Sequence, residues 1–164
     1  MARAFQRLGA DRYRASFTRG ELDVLRNLPD QLRVVLDDDD DPAAERLFPP
    51  AYAADEDAEA DEDYRRLMRS ELLDDKRAAI GLVTTTLERV ARRGTRWAVE
   101  LSEEEALAWL GVLNDIRLTL GVRLDVTDDL DGEIDPGDPR APGLHLLYYL
   151  GWLEEHLVAA LSAG

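Results

Sequence analysis

Residues 113–124, LNDIRLTLGVRL, read as the second half of an amphipathic helix that closes at Gly121, yet Asn114 and Arg117 stand among its leucines. The helix opens upstream at Ser102, whose hydroxyl suits an N-cap and is followed by three glutamates where the helix dipole favours negative charge. With Trp109 at the centre of the wheel, Leu113, Ile116 and Leu120 fall within about 40° of it. Leu107, Leu110 and Leu118 widen the apolar arc to about 180°, leaving Glu104, Asp115 and Thr119 as a narrow wet strip. Arg117 and Asn114 both lie inside the arc. A guanidinium placed there needs a carboxylate or several carbonyls, because an unpaired buried charge costs several kcal/mol, unless its stem snorkels to a groove edge. Two roles therefore fit the Asn114, Asp115 and Arg117 cluster: a structural ion pair that fixes helix packing, or an anchor for the carboxylate of a partner.

Outward from this helix, the pattern changes period. RAFQRL and RYRASF flank a short GAD turn at 9–11, and Tyr13, Ala15 and Phe17 alternate with polar neighbours, so the N-terminus reads as a β-hairpin. Thr18 and Glu21 have capping-box spacing ahead of a helix whose stripe is Leu25, Leu28, Leu32 and Val35. Pro29 lies inside that run and predicts a kink or a break near Asn27. Residues 37–63 form an acidic, mobile surface excursion, with Leu47, Phe48 and Tyr52 able to pin it to the body. A helix starts around 61–64, and it or a second one runs from Ser70 to Arg93, ending at Gly94. TRWAVEL, 95–101, alternates as a strand able to join the hairpin. A polar loop rich in Gly and Pro spans 122–142, and a last helix from about 143 to 162 is apolar almost all round, which places it in the core or under a partner. The expected fold is α+β and mostly helical: a single domain over 1–164, with a bundle of five or six helices and a small N-terminal antiparallel β-sheet.

A chain of 164 residues that is 45% hydrophobic can bury a core without staples. It has no cysteine, which removes disulfides, thiolate metal sites and thiol nucleophiles. No apolar run approaches the roughly 18–20 residues of a membrane span, and the first residues carry interleaved arginines and no continuous apolar core of a signal peptide, so the expected location is cytoplasmic. The net charge of −15 is uneven: residues 37–63 hold thirteen acids and one arginine, whereas 64–100 hold nine basic residues and five acids. The overall sign disfavours nucleic acid and anionic membranes.

Few motifs carry chemistry. The Asp run at 37–41 lacks the fixed geometry a cation needs and reads as a solvated charge run. TDDLDGEIDPGD, 127–138, approaches a calcium loop but has Thr127 at its first position, a short Asp138 at its last, and prolines obstructing the exit helix. His145 and His156 lie about 16 Å apart along one helix, too far to share a metal. There is no Gly-rich phosphate loop, nucleophile elbow or zincin signature. No catalytic, cofactor-binding or metal residue is therefore assigned. A candidate basic patch consists of Arg65, Arg66, Arg69, Arg89, Arg92, Arg93 and Arg96, read as helical arginines near a strand, an arrangement that suits a DNA reader.

WLGVLNDIRLTLGVRL (109–124), RLFPPAY (46–52) and LLYYLGWLEEHLVAAL (146–161) resemble the actinobacterial domain-of-unknown-function family numbered two thousand and seventeen, over nearly the whole chain. The Asn-Asp-x-Arg-Leu-x-x-Gly element at 114–121 is the most specific part. The resemblance implies a cytoplasmic protein with no assigned enzyme activity. Some members carry paired cysteines and are described as redox-responsive transcriptional regulators, a mechanism that cannot pass to a chain without cysteine. The expected function is a non-catalytic regulator or adaptor that binds a protein partner or a second copy of itself, the alternative being a DNA-binding regulator that uses the basic helices.

Overall fold

The computed structural model describes residues 3–48, 58–126 and 134–163; of residues 58–61 it describes the backbone. Strand β1 (Phe5–Gly9) turns through Ala10 and Asp11 into β2 (Arg12–Phe17), as the alternation predicts. Thr18 then caps α1 (Arg19–Leu36): its hydroxyl accepts from the Glu21 N–H while the Glu21 carboxylate accepts from the Thr18 N–H. Helix α1 runs unbroken through Pro29, so the expected break near Asn27 is absent. A mid-helix proline costs about 3 kcal/mol. Here Leu22, Leu25, Leu28, Leu32 and Val35 are all buried on one face, and at about 1.5–3 kcal/mol for each buried side chain their packing overrides that cost.

The acidic stretch read as a surface excursion contains a short helix, α2 (Pro42–Leu47), N-capped by the Asp41 carboxylate. Ala43, Ala44, Leu47 and Phe48 are buried, so this segment contributes to the core; Tyr52 lies outside the described residues. Helix α3 (Ala58–Glu88) is 31 residues and about 46 Å long. It stops five residues short of the predicted end at Arg93. Residues Ala91–Arg93 instead form strand β3, which turns through Gly94 and Thr95 into β4 (Arg96–Ser102). Gly94 has φ +65°, and both a helix C-terminus and a tight hairpin turn call for glycine in that conformation. The glycine was legible; which of the two it served was not.

The sheet is antiparallel with order β1-β2-β4-β3, one strand more than the sequence predicts. Its inner face carries Phe5, Tyr13, Ala15, Phe17, Val99 and Leu101, all buried. Helix α4 (Glu103–Arg123), opened by a Ser102–Glu105 capping box, lies at the centre and touches α1, α2, α3, the sheet and α5 (Ala141–Ser162). The Trp109 ring sits 5.7–5.9 Å from those of Phe17 and Phe5, and its indole N–H donates to the fully buried Thr86 hydroxyl at 2.8 Å. The molecule is thus α+β and mostly helical, with five helices among the described residues. No helix of these residues is long and apolar enough to cross a membrane.

Candidate functional site

Helix α4 carries its charges on two sides. Asp115, placed by the wheel on the wet strip, is 6% exposed. It faces α3, where Lys76 Nζ donates to both carboxylate oxygens at 2.9 and 3.0 Å. Burial raises the Asp115 pKa above the usual carboxylate range, the Lys76 ammonium opposing it. Arg117, placed in the apolar arc, keeps 40% of its side chain exposed, and Asn114 is exposed. The wheel thus reversed the two sides, because it assumed one core face on a helix that is packed by neighbours on several. α3 covers Asp115 on the strip that the sequence leaves polar, while Glu104 stays exposed, and the side bearing Asn114 and Arg117 opens toward α5.

The partner that Arg117 requires is Glu154 on α5. Arg117 Nη1 donates to Glu154 Oε2 at 2.9 Å, and the Glu154 side chain is only 14% exposed. The guanidinium lies against Gly151, where an added Cβ would stand 3.4 Å from Nη2 and 3.5 Å from Cζ. The guanidinium thus passes Gly151 at a distance that an alanine methyl would meet in ordinary contact. Beside this pair runs a groove of about 910 Å³ between α4 and α5. Asn114, Arg117 and Gly121 line one wall; Tyr148, Trp152 and Glu155 line the other, with Arg46 from α2 at the rim. Arg117 Nε and Glu154 Oε1 are covered and make no hydrogen bond among the described residues. Sequence reasoning selected Asn114 and Arg117 but missed the α5 wall; the glycine and glutamate at i and i+3, Gly151 and Glu154, were its available signal.

The candidate basic patch is divided. Arg65, Arg66 and Arg69 stand on the exposed N-terminal half of α3, whereas Arg89, Arg92, Arg93 and Arg96 lie beyond its other end, about 35 Å away along the axis. Arg92 and Arg93 are on strand β3, which corrects their placement in a helix running to Arg93, whereas Arg96 is on the strand expected over 95–101. Several are engaged. Arg69 lies 3.6 Å from Asp39 and over the Phe48 ring, and Arg89 bonds Glu105 at 2.8 Å. Burial alone would raise the Glu105 pKa, but the hydrogen bonds from Arg89 and from the Ser102 N–H bring it below its ordinary value.

The Asp run acts as a ligand for arginines from two helices. Arg77 of α3 bonds Asp37 at 2.8 Å, and Arg123 of α4 grips both Asp41 oxygens at 2.6 and 2.7 Å. The Arg123 hydrogen bonds, with the Ala43 N–H, lower the Asp41 pKa to about 2. Residues 127–133 of the calcium-like loop lie outside the described residues; Asp138, at its end, pairs with Arg140 at 2.9 Å. His145 is exposed, and the His156 ring rests 4.0 Å from that of Trp152. Among the described residues no three His, Asp or Glu side chains converge in the manner of a metal site.

The family described as domain of unknown function DUF2017 matches residues 2–161. The oxidative stress regulator AosR of Mycobacterium tuberculosis (strain ATCC 25618 / H37Rv) is 29% identical over 187 aligned positions, covering 93% of this chain and 84% of the relative. The Mycobacterium bovis protein of that name aligns with the same figures. A relative called AosR in Mycobacterium leprae is 31% identical over 135 positions, 76% of this chain, and the match spans 60% of that relative's length. No solved structure matches the chain.

Proposed function

This chain belongs to the DUF2017 family, and we propose that it is a non-catalytic regulator of the cytoplasm that works by holding another protein in the α4–α5 groove. The observation that carries this reading is the Arg117 guanidinium, held at Nη1 by Glu154 beside Gly151, with 40% of the side chain exposed where it lines the groove together with Trp152 and Tyr148. A planar fork of donors held in place beside aromatic surface suits a partner carboxylate flanked by apolar side chains, and little ordering is needed on binding. Relatives named as regulators favour the same class over an enzyme. Their names also tie the role to oxidative stress, and in this chain the sensing step lies outside thiol–disulfide chemistry, because no cysteine is present.

The DNA-binding alternative draws less support. It requires the two arginine groups to act together, and α3 holds them apart.

The test is affinity capture from native cytoplasm with the parent chain, Arg117→Met and Asn114→Asp, each first checked for a native denaturation curve. A specific protein retained by the parent and lost from folded Arg117→Met supports the groove. Capture indifferent to both substitutions, or no specific protein at all, rejects it.

A further inference from the structure

The β-sheet has a second face that is uncovered among the described residues. Strand register fixes its members: Gln6 opposite Arg14 opposite Glu100, Ser16 opposite Ala98 opposite Ala91, Arg12 opposite Ser102, and Arg93 opposite Arg96. Side chains alternate along each strand, so these residues share one side, while Tyr13, Phe17, Trp97, Val99 and Leu101 point to the other. Arg12, Arg93 and Glu100 are exposed, and Arg14 and Arg96 half-buried. Four arginines thus share a face with one acid, and that acid, Glu100, is already shared by Arg12 at 3.2 Å and Arg14 at 3.9 Å. The face is net positive on a chain of net charge −15.

Arg93 and Arg96 sharpen the point. They stand directly opposite each other across the hairpin, an arrangement that destabilises a strand pair when the charges are alike. Arg96 relieves itself in part by donating from Nε and Nη2 to the Ser16 hydroxyl and carbonyl at 2.6 and 2.8 Å. Arg93 has no bonded partner among the described residues, and no acid stands between the two guanidiniums on that face.

We propose that this arginine face binds a short acidic segment of a partner protein. Two observations favour such a segment over nucleic acid. A duplex or a long strand would run past this face on a molecule whose net charge is −15, whereas the diagonal from Arg93 to Arg12, two strand spacings across and six residues along, is about 22 Å and is spanned by about seven extended residues. Among the described residues the strands present no aromatic ring on that face on which a base could stack, all three aromatics of β2 and β4 being on the inner side. The carboxylates of the segment meet Arg93 and Arg96 at the hairpin and Arg12 and Arg14 further along, displacing none of the core. None of these residues lines the α4–α5 groove, so the two surfaces are independent.

The experiment measures binding of a labelled oligoglutamate peptide, and of a short DNA duplex in parallel, at low and at physiological ionic strength. Expected is peptide binding that weakens with salt, falls about tenfold in Arg93→Glu and in Arg12→Glu, and is retained in Arg93→Lys. Arg65→Glu, which changes net charge equally at the far end of α3, leaves it unchanged. The proposal is overturned by absence of peptide binding at low salt, by an equal loss in Arg65→Glu, or by tighter binding of the duplex than of the peptide. Arg93→Glu removes a like-charge pair from an exposed strand, so the fold is retained, as a denaturation curve will verify.

Discussion

Asp115 and Arg117 stand two residues apart on α4 and make ion pairs of different kinds. In the seam between α3 and α4, Asp115 is nearly water-free and both its oxygens are engaged by Lys76. In the groove between α4 and α5, Arg117 is bound at one nitrogen and keeps 40% of its side chain exposed. The first arrangement specifies how two helices dock and has nothing left to offer a ligand. The second is held as firmly at one end as it is available at the other. A charged residue among leucines therefore says that a partner exists; whether that partner leaves donors free is decided by the helices packed on either side.

The largest expected effect lies in the seam. Lys76→Met leaves the Asp115 carboxylate buried without a counter-charge and lowers stability by about 3–5 kcal/mol, whereas Lys76→Met with Asp115→Leu restores most of it, because apolar replacements of both partners are often neutral. Denaturant unfolding measures both, and a loss below about 1 kcal/mol in the single variant would dissolve the contrast with the groove. Titration adds to it. The raised Asp115 pKa means that the folded state holds that proton more tightly than the unfolded chain does. Its contribution is therefore favourable at low pH and is lost as pH rises through the folded pKa, above about 4.

A smaller change separates the groove. Gly151→Ala places a methyl group 3.4 Å from Arg117 Nη2, at the edge of ordinary contact, and alanine is about 1 kcal/mol better than glycine within a helix. The expected result is a gain of about 0.5–1 kcal/mol in unfolding free energy with partner capture retained. A net loss would show that the guanidinium cannot yield and that the crossing needs glycine itself.

The smallest effect at neutral pH belongs to a third pair on α4, Arg123 with Asp41. The Asp41 pKa is lowered to about 2, so its contribution is complete above the unfolded value near 4 and disappears as pH falls toward 2, the reverse of Asp115. Asp41→Asn should flatten this acid limb of the stability–pH curve while leaving the neutral limb nearly parallel to the parent; an unchanged acid limb would show that the pair is not coupled to unfolding.

Local signals carried much of the fold. The hairpin, the Thr18 capping box, the Ser102 cap and the strand at 95–101 each rest on interactions within a few residues, and each is present. What sequence reasoning missed depends on distant neighbours. Pro29 tolerates helix because Leu22 and Leu25 are buried by other elements. Gly94 forms a hairpin turn because β4 is available to pair with Ala91–Arg93. At the site, Asn114 and Arg117 were legible as misfits in an apolar pattern, whereas Glu154 was not, since its partner lies 37 residues away. Arg12 and Arg14 were passed over for the same reason: their shared face with Arg93 exists only once β2 is registered against β4.

Lys76 is the single lysine of the chain; its side chain is 16% exposed, and its ammonium is closed over Asp115. The folded surface is consequently studded with guanidinium groups yet offers scarcely any side-chain amine. Acetyl transfer, isopeptide tagging and amine-reactive dyes, all of which attack a free ε-amino group, find their one side-chain target locked in a helix seam, and a molecule that did react there would report that α3 had parted from α4.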